Sequence, residues 1–571
     1  MRADMERNDS HSRGIGKGQN LRGGKLRLIA FSSLLLAVSA WAPGLGFFSR
    51  SIWYDEALTL LHTAGAGNTP EYAAPVRADD WALVFRSRAG AGRIVDALAN
   101  TSIHPPLYYL ILGVLWRPVI GFSLEAVRVF SLLCSLLNVL FLFLLLRRAK
   151  VRGNWLVCLL FAFSPAFVYF AHEARNYALG SCLLTAGALF LYISADTPVE
   201  RRKAWGWATL GGLSLGAAFL THYLTAFVGF AVLVWFVLVS RRSLRIGLVP
   251  LVLAGTCVAA GLPILQQQIA ARSRADGSPG RVTAHPRIAV SDAVQGSLEN
   301  LCGWHSLPGA YKSGAGIYLA GLLFSSLVFL CFFRSRHEQS RLVTLAAGSF
   351  FISIVSMILL SVFFDSRLAS PRYLMFGGPA AVLLVAVPVL SCSPKCRVAS
   401  MIVLLPLIAL QIRSVRHNLH VYRHGFSHRA VADEIAARST EDAIVFIGRS
   451  NGGGNVAATV YALPGWVDVQ ELNPNSCAET AFMTNREYTY LWLVRGLGVT
   501  EEIENQLIRQ IERSGLFVKE AVLNRGTHAE YAVGFRIIES FVPPDVSPLN
   551  SDQVRERLQG SDEEIFESGF F

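Results

Sequence analysis

The feature that most limits what this chain can become is a recurrence of apolar runs, each about as long as a bilayer is thick. A transmembrane helix needs roughly 20 apolar residues. Runs of that kind occupy 26–48, 126–146, 154–171, 177–195, 204–220, 224–239, 246–265, 314–333, 342–364, 374–390 and 398–412. That makes about eleven spans, so an α-helical polytopic membrane protein is expected. Composition agrees. Of 571 residues, 52% are hydrophobic and 16% charged, where an average soluble domain carries about 25% charged residues.

The formal charge of +12 suggests nucleic acid until the basic residues are located. They lie in short clusters between apolar runs: Arg147-Arg148-Ala149-Lys150, Arg201-Arg202-Lys203, Arg241-Arg242, the stretch 334–341, and Lys395-Cys396-Arg397. Cytoplasmic loops carry such an excess of Lys and Arg. The charge is therefore read as topology, and no nucleic-acid partner is implied. The polar, basic segment 1–25 becomes a cytoplasmic tail, and 26–48 is too long for an ordinary signal-peptide core. All the clusters fall on one side provided that 104–120 is not a full crossing. That stretch is short and opens His-Pro-Pro, so a re-entrant or interfacial helix is expected.

The segments left outside are 49–125, 173–176, 221–223, 266–313, 365–373 and everything after about residue 413. Unusual polar groups gather on this face: Asp55 and Glu56, His104, Glu173 with Arg175 and Tyr177, His222-Tyr223, and Arg367 with Arg372-Tyr373. Each has an ordinary reading. Asp55-Glu56 suits a solvated loop or the first turn of an interfacial helix. The arginines suit snorkelling at span ends, and His222-Tyr223 suits an interfacial anchor. Five such segments on one face weigh more than any one of them, because ionisable groups beside hydrocarbon are costly and mark functional sites. The chemistry suggested is transfer from a lipid phosphate. A carboxylate at the interface can take the acceptor's proton, and guanidinium groups match the oxygens of a phosphate leaving group.

With these residues in view, the chain resembles the GT-C glycosyltransferases, in particular the protein O-mannosyltransferase-like group. That group includes the lipid A aminoarabinose transferase and the rhizobial lipopolysaccharide galacturonosyltransferases. Trp53-Tyr54-Asp55-Glu56-Ala57 resembles the group's acidic motif, and His104-Pro105-Pro106-Leu107-Tyr108-Tyr109 its re-entrant segment. His172-Glu173-Ala174-Arg175-Asn176-Tyr177-Ala178-Leu179 resembles a further element; Thr221-His222-Tyr223 and Pro371-Arg372-Tyr373 resemble two weaker ones. The resemblance covers roughly residues 26–413. It implies a GT-C fold and an inverting transfer from a polyprenyl-phosphate sugar to a glycan, lipid or protein acceptor. Asp55 is then the catalytic base, Glu56 its neighbouring acid and Glu173 a second acid. His104, Tyr108, Arg175, Tyr177, His222, Tyr223, Arg372 and Tyr373 become substrate-binding candidates. Some members hold a divalent metal near the acids; this chain shows no metal-ligand spacing of its own. A bacterial inner membrane fits the basic N-terminus.

Between the spans and the end of the chain lie two further features. The loop 266–313 carries Arg272, Arg274, Arg281 and Arg287 and reads as a lid or as a solvated loop. From 414 to 540 helical and β-like runs alternate, which suggests a small external α/β domain, followed by a flexible acidic tail, 541–571. The turn Arg449-Ser450-Asn451-Gly452-Gly453-Gly454-Asn455 lacks a phosphate-loop lysine. Among nine cysteines only Cys302 and Cys477 are expected outside, which makes no framework. The competing functions are a polysaccharide ligase or polymerase with a lipid-linked donor, and a flippase or transporter. Transporters usually show internal repeats, and none is evident. The topology is directly testable. A reporter active only outside the cytoplasm should be active when fused after Arg413 and silent at Lys150 or Arg241; activity at Lys150 would overturn the re-entrant reading of 104–120.

Overall fold

The computed structural model describes residues 52, 54–67, 76–121, 123–151, 153–198, 202–240, 244–275, 286–302, 337–363, 371–391, 404, 407–416, 428–439, 443–448, 454–472, 490–494, 508–509, 517–524 and 531–537. The chain divides into two units. One comprises Met1–Phe47, Arg128–Gly261 and Ser278–His417; the other comprises Phe48–Val127, Leu262–Gly277 and Asn418–Phe571.

The first unit is helical. Among the described residues four helices are long and apolar enough to cross a membrane: Leu124–Arg148, Tyr177–Asp196, Arg245–Ala271 and Gln339–Phe363. The expected span 154–171 is instead a broken pair, Asn154–Ala162 and Pro165–Ala171, bent by 63°. The cause is local. Pro165 has no N–H to continue the ladder, and Ser164 caps the second helix by accepting from Phe167 N at 3.4 Å. Counting the pair as one span gives five. Helix Thr225–Val239 is shorter, and the expected span at 374–390 is helix Gly378–Ser391, entered through a 3₁₀ turn at Met375–Gly377. The expected spans 26–48 and 314–333, and most of 398–412, lie outside the described residues.

Large apolar side chains stand exposed along these helices, among them Leu133, Leu137, Phe230, Val252 and Val355. In water such an array would be an aggregation liability; in a bilayer it is the lipid-facing surface. Inside, where lipid gives no hydrophobic drive, close backbone approach holds helices together. Helix Arg202–Thr221 does this at Gly212, where a methyl group would run into the Pro250 backbone. At one end of the unit Asp196 pairs with both Arg148, at 3.1 Å, and Arg341, at 3.4 Å. Two of the basic clusters thus share an end.

The second unit combines the first loop with the C-terminal segment. Six strands form one sheet: β1 Val76–Arg77, β2 Ala443–Gly448, β3 Asp468–Leu472, β4 Tyr490–Val494, β5 Phe517–Asn524 and β6 Tyr531–Ile537, in the order β1-β3-β2-β4-β6-β5. β2 pairs in parallel with both β3 and β4; β6 lies antiparallel to β4 and β5. Ala443 to Ile447 are all buried, as suits a central parallel strand covered on both faces. β1 comes from the loop, not from the C-terminal segment. Val76 sits opposite Val469, and Ala78 N and Asp79 N donate to Val467 O and Gly465 O at 2.9 and 3.2 Å. Gly465 leaves the space that the Asp79 carboxylate fills, so a side chain there would make that carboxylate swing aside. Helix Gly454–Ala462 packs on helix Tyr54–Thr63, and Tyr461 Oη accepts from Leu124 N at 3.3 Å.

The packing in the helical unit generates a test. Gly212→Val should cost about 1–3 kcal/mol by overpacking and lower the unfolding temperature in mild detergent. Gly206→Val, on the same helix but with open space around it, should not. Equal shifts would mean that close approach to Pro250 is not what holds these helices.

Candidate active site

In the second unit the acids are carried by helix Tyr54–Thr63, with Asp55 and Glu56 in its first turn. Both therefore sit at the positive end of the helix dipole. Neither acid is a solvated loop group: Glu56 is fully buried and Asp55 9% exposed. Thr59 Oγ1 donates to Asp55 O at 3.1 Å, and buried His62 lies one turn further on, its Nε2 3.3 Å from Thr101 Oγ1.

The His104 segment packs against the far end of that helix. The stretch 107–120 forms short helices Leu107–Leu110 and Arg117–Ile120 around a π-helical turn, Ile111–Trp116. At about 1.5 Å per residue it reaches roughly 21 Å, short of the ~30 Å hydrocarbon core. Gly113 brings it close: a methyl group there would meet Thr63 O and the Ile94 side chain. Tyr108 and Tyr109 are fully buried, edge to face at 5.4 Å, and Tyr109 meets His62 edge-on at 5.5 Å. His104 N donates to Ser102 Oγ at 3.2 Å, and His104 O accepts from Gln268 Nε2 at 2.9 Å.

The first unit builds a second cluster from three turns. The break before helix Tyr177–Asp196 holds His172, Glu173, Arg175 and Asn176, all buried. Asn176 Nδ2 donates to Thr221 O at 2.7 Å, which ties this turn to the one carrying His222 and Tyr223. The Tyr177 and His222 rings lie 5.4 Å apart, with the Arg175 guanidinium 5.9 Å from the Tyr177 ring centre, a cation–π distance. Tyr373, from the short helix Pro371–Leu374, brings its ring within 6.0 Å of His222, and Phe376 stands 4.9 Å away. Arg372, half-buried, belongs to the same turn. Burial, with the Arg175 cation as the second cause, holds His222 down at about 3, and burial pushes Tyr223 up to about 12. Both are therefore neutral at physiological pH and act as dipoles.

Tyr54–Thr63 and the His104 segment thus place Asp55, Glu56, His104 and Tyr108 in one unit. Glu173, Arg175, Tyr177, His222, Tyr223, Arg372 and Tyr373 lie in the other. Arg367 lies outside the described residues. Among the described residues no three His, Cys, Asp or Glu side chains form a metal-binding set. Residues that sequence reasoning passed over include His62, Asn176 and Arg128. Arg128 is 2% exposed inside an expected span, and an ionisable group in such a run is itself a site signal. The loop 266–313 contains helix Pro286–Cys302, whose Ala293 packs with Leu374 and Tyr373. That part of the loop is a wall beside the Arg372 turn.

The family model described as dolichyl-phosphate-mannose-protein mannosyltransferase matches residues 103–265. That stretch contains His104, Glu173, Arg175 and His222 and excludes Asp55 and Arg372. Among solved structures, ArnT from Cupriavidus metallidurans in the apo state superposes with a TM-score of 0.52 at 13% identity, over 91% of this chain and 100% of that one. The same protein bound to undecaprenyl phosphate gives 0.52 at 14%, over 90% and 99%. At such identity the likeness is one of fold. No curated protein sequence matches the chain. The apolar helices make the chain an integral membrane protein, one whose residues 103–265 are similar to that family and whose fold is like that of ArnT.

Proposed function

We propose that the chain transfers a single sugar from a polyprenyl-phosphate donor to a hydroxyl-bearing acceptor on the external face of a bacterial inner membrane. The observation that carries this reading is the burial of Asp55 and Glu56 at the N-terminus of a helix, since carboxylates are seldom fully buried without a task. The second support is the turn cluster of Arg175, Tyr177, His222 and Tyr373, with Arg372 on the same turn as Tyr373. The matched family is described by transfer from dolichyl phosphate, and one fold relative was solved with undecaprenyl phosphate.

In this reaction the acceptor oxygen attacks the anomeric carbon while Asp55 takes its proton. The bond from that carbon to the phosphate oxygen breaks, the polyprenyl phosphate leaves with the electron pair, and the anomeric centre inverts. Glu56 is the acid beside that base, Glu173 is a second acid by the family resemblance, and the arginines receive the phosphate's growing charge. Mass spectrometry of envelope lipids and glycans with and without the chain tests the whole reading. Loss of a one-sugar increment supports it, whereas loss of long glycan chains indicates a ligase.

Two substitutions test the assigned roles. Asp55→Asn keeps size and removes the base, so the protein should insert normally and turn over about 100- to 10,000-fold more slowly; near-normal turnover would move the role to another acid. Arg372→Lys keeps charge and the ability to snorkel but not the planar two-pronged contact. It should insert normally, bind undecaprenyl phosphate more weakly and lose activity, with Arg372→Ala losing more. A lysine variant equal to the parent in affinity and rate would leave Arg372 as an anchor only.

A further inference from the structure

Along residues 262–270 of helix Leu244–Ala275, Gln268 alone is buried; its neighbours Gln267 and Ile269 are exposed. Packing is a poor reason to bury an amide there, because an apolar side chain would fill the space without desolvation cost. The reason lies in its hydrogen bonds. Gln268 Nε2 donates to Leu98 O at 3.2 Å and to His104 O at 2.9 Å. The first lies in the last turn of helix Ala91–Thr101, where it also takes the Ser102 N–H at 3.1 Å; the second opens the Pro105-Pro106 turn. One side chain thereby ties the end of that helix to the turn that follows it.

We infer that Gln268 is a positioning residue for the segments that carry the acids, an inference that rests on Asp55 being the base. The contacts run without a gap. Gln268 fixes the His104-Pro105-Pro106 turn, the turn begins the segment carrying Tyr108 and Tyr109, and Tyr109 packs on His62 of the acid helix.

The test uses the full-length chain in three forms: parent, Gln268→Leu and Gln268→Glu. In Gln268→Leu, amide exchange across residues 98–110 should accelerate roughly tenfold, the scale expected when a buried acceptor loses its donor, while helix Tyr177–Asp196 keeps its protection. Binding of undecaprenyl phosphate should match the parent, and transfer in cells should fall by about tenfold or more. Gln268→Glu preserves shape but as a carboxylate cannot donate. Its transfer relative to the parent should recover as external pH is lowered from about 7.5 to about 5.5, because a buried carboxyl protonates above its ordinary range and regains an O–H. General unfolding would not spare Tyr177–Asp196 and undecaprenyl phosphate binding while transfer alone falls and recovers with pH. Parental transfer in Gln268→Leu, equal loss of protection in Tyr177–Asp196, or a flat ratio in Gln268→Glu would each overturn the inference. Should the parent itself transfer nothing, the proposed function fails and the exchange experiment still decides: acceleration confined to 98–110 upholds the clamp, and unchanged exchange removes it.

Discussion

Backbone hydrogen bonding away from water is the constraint on which most of this molecule depends. A helix in hydrocarbon satisfies its own N–H and C=O groups; any break must be repaired by something else. This chain breaks its helices at the places where it concentrates chemistry. Pro165 divides one span, and the freed Leu160 carbonyl is taken by Gln411 Nε2 at 3.1 Å, which also reaches Leu301 O at 2.6 Å. Pro105 and Pro106 interrupt another stretch, and Gln268 plays the equivalent part. Asn176 donates to the Thr221 carbonyl where two helices end. In each case a buried carboxamide donates to a backbone carbonyl at a helix end or a proline turn, and so holds together segments that the helix ladder does not.

The same breaks explain how ionisable groups come to be buried. A continuous helix offers a side chain only an apolar surface or another helix. A turn between helices leaves room for polar groups to pack against one another, as the rings of Tyr177, His222 and Tyr373 and the Arg175 guanidinium do. His222 is neutral in this setting because burial and a neighbouring cation both disfavour its charge, and its ring packs against those of Tyr177, Tyr373 and Phe376. Asp55 and Glu56 use another device, the N-terminal turn of a helix.

The strand at Val76–Arg77 changes how the external parts are understood. A loop that donates an edge strand to the C-terminal sheet, and whose acid helix is packed by helix Gly454–Ala462, is built together with that sheet. The C-terminal segment then supports the acid helix directly. Its length and composition suggest an appended module; its contacts make it part of the scaffold around Asp55.

Apolar run length and charge clustering sufficed to expect a polytopic helical protein, because both follow from the thickness and solvent properties of the bilayer, which act residue by residue. The polar motifs at 54–56, 104–109, 172–177, 222–223 and 372–373 were legible for the same reason: charge and proline beside hydrocarbon are conspicuous against an apolar background. Gln268, Gln411, Asn176 and His62 were not, since an amide or imidazole near a span end looks like ordinary interfacial polarity until its partner is known. Nor was β1, a two-residue strand whose only reason to exist is the edge of β3, far away in the chain. Local composition determined which segments enter the membrane and which carry charge. Only the tertiary structure decided which carbonyls take a side-chain donor, which side chains reach them, and which strand closes the sheet, because each of those depends on residues brought together from distant parts of the sequence.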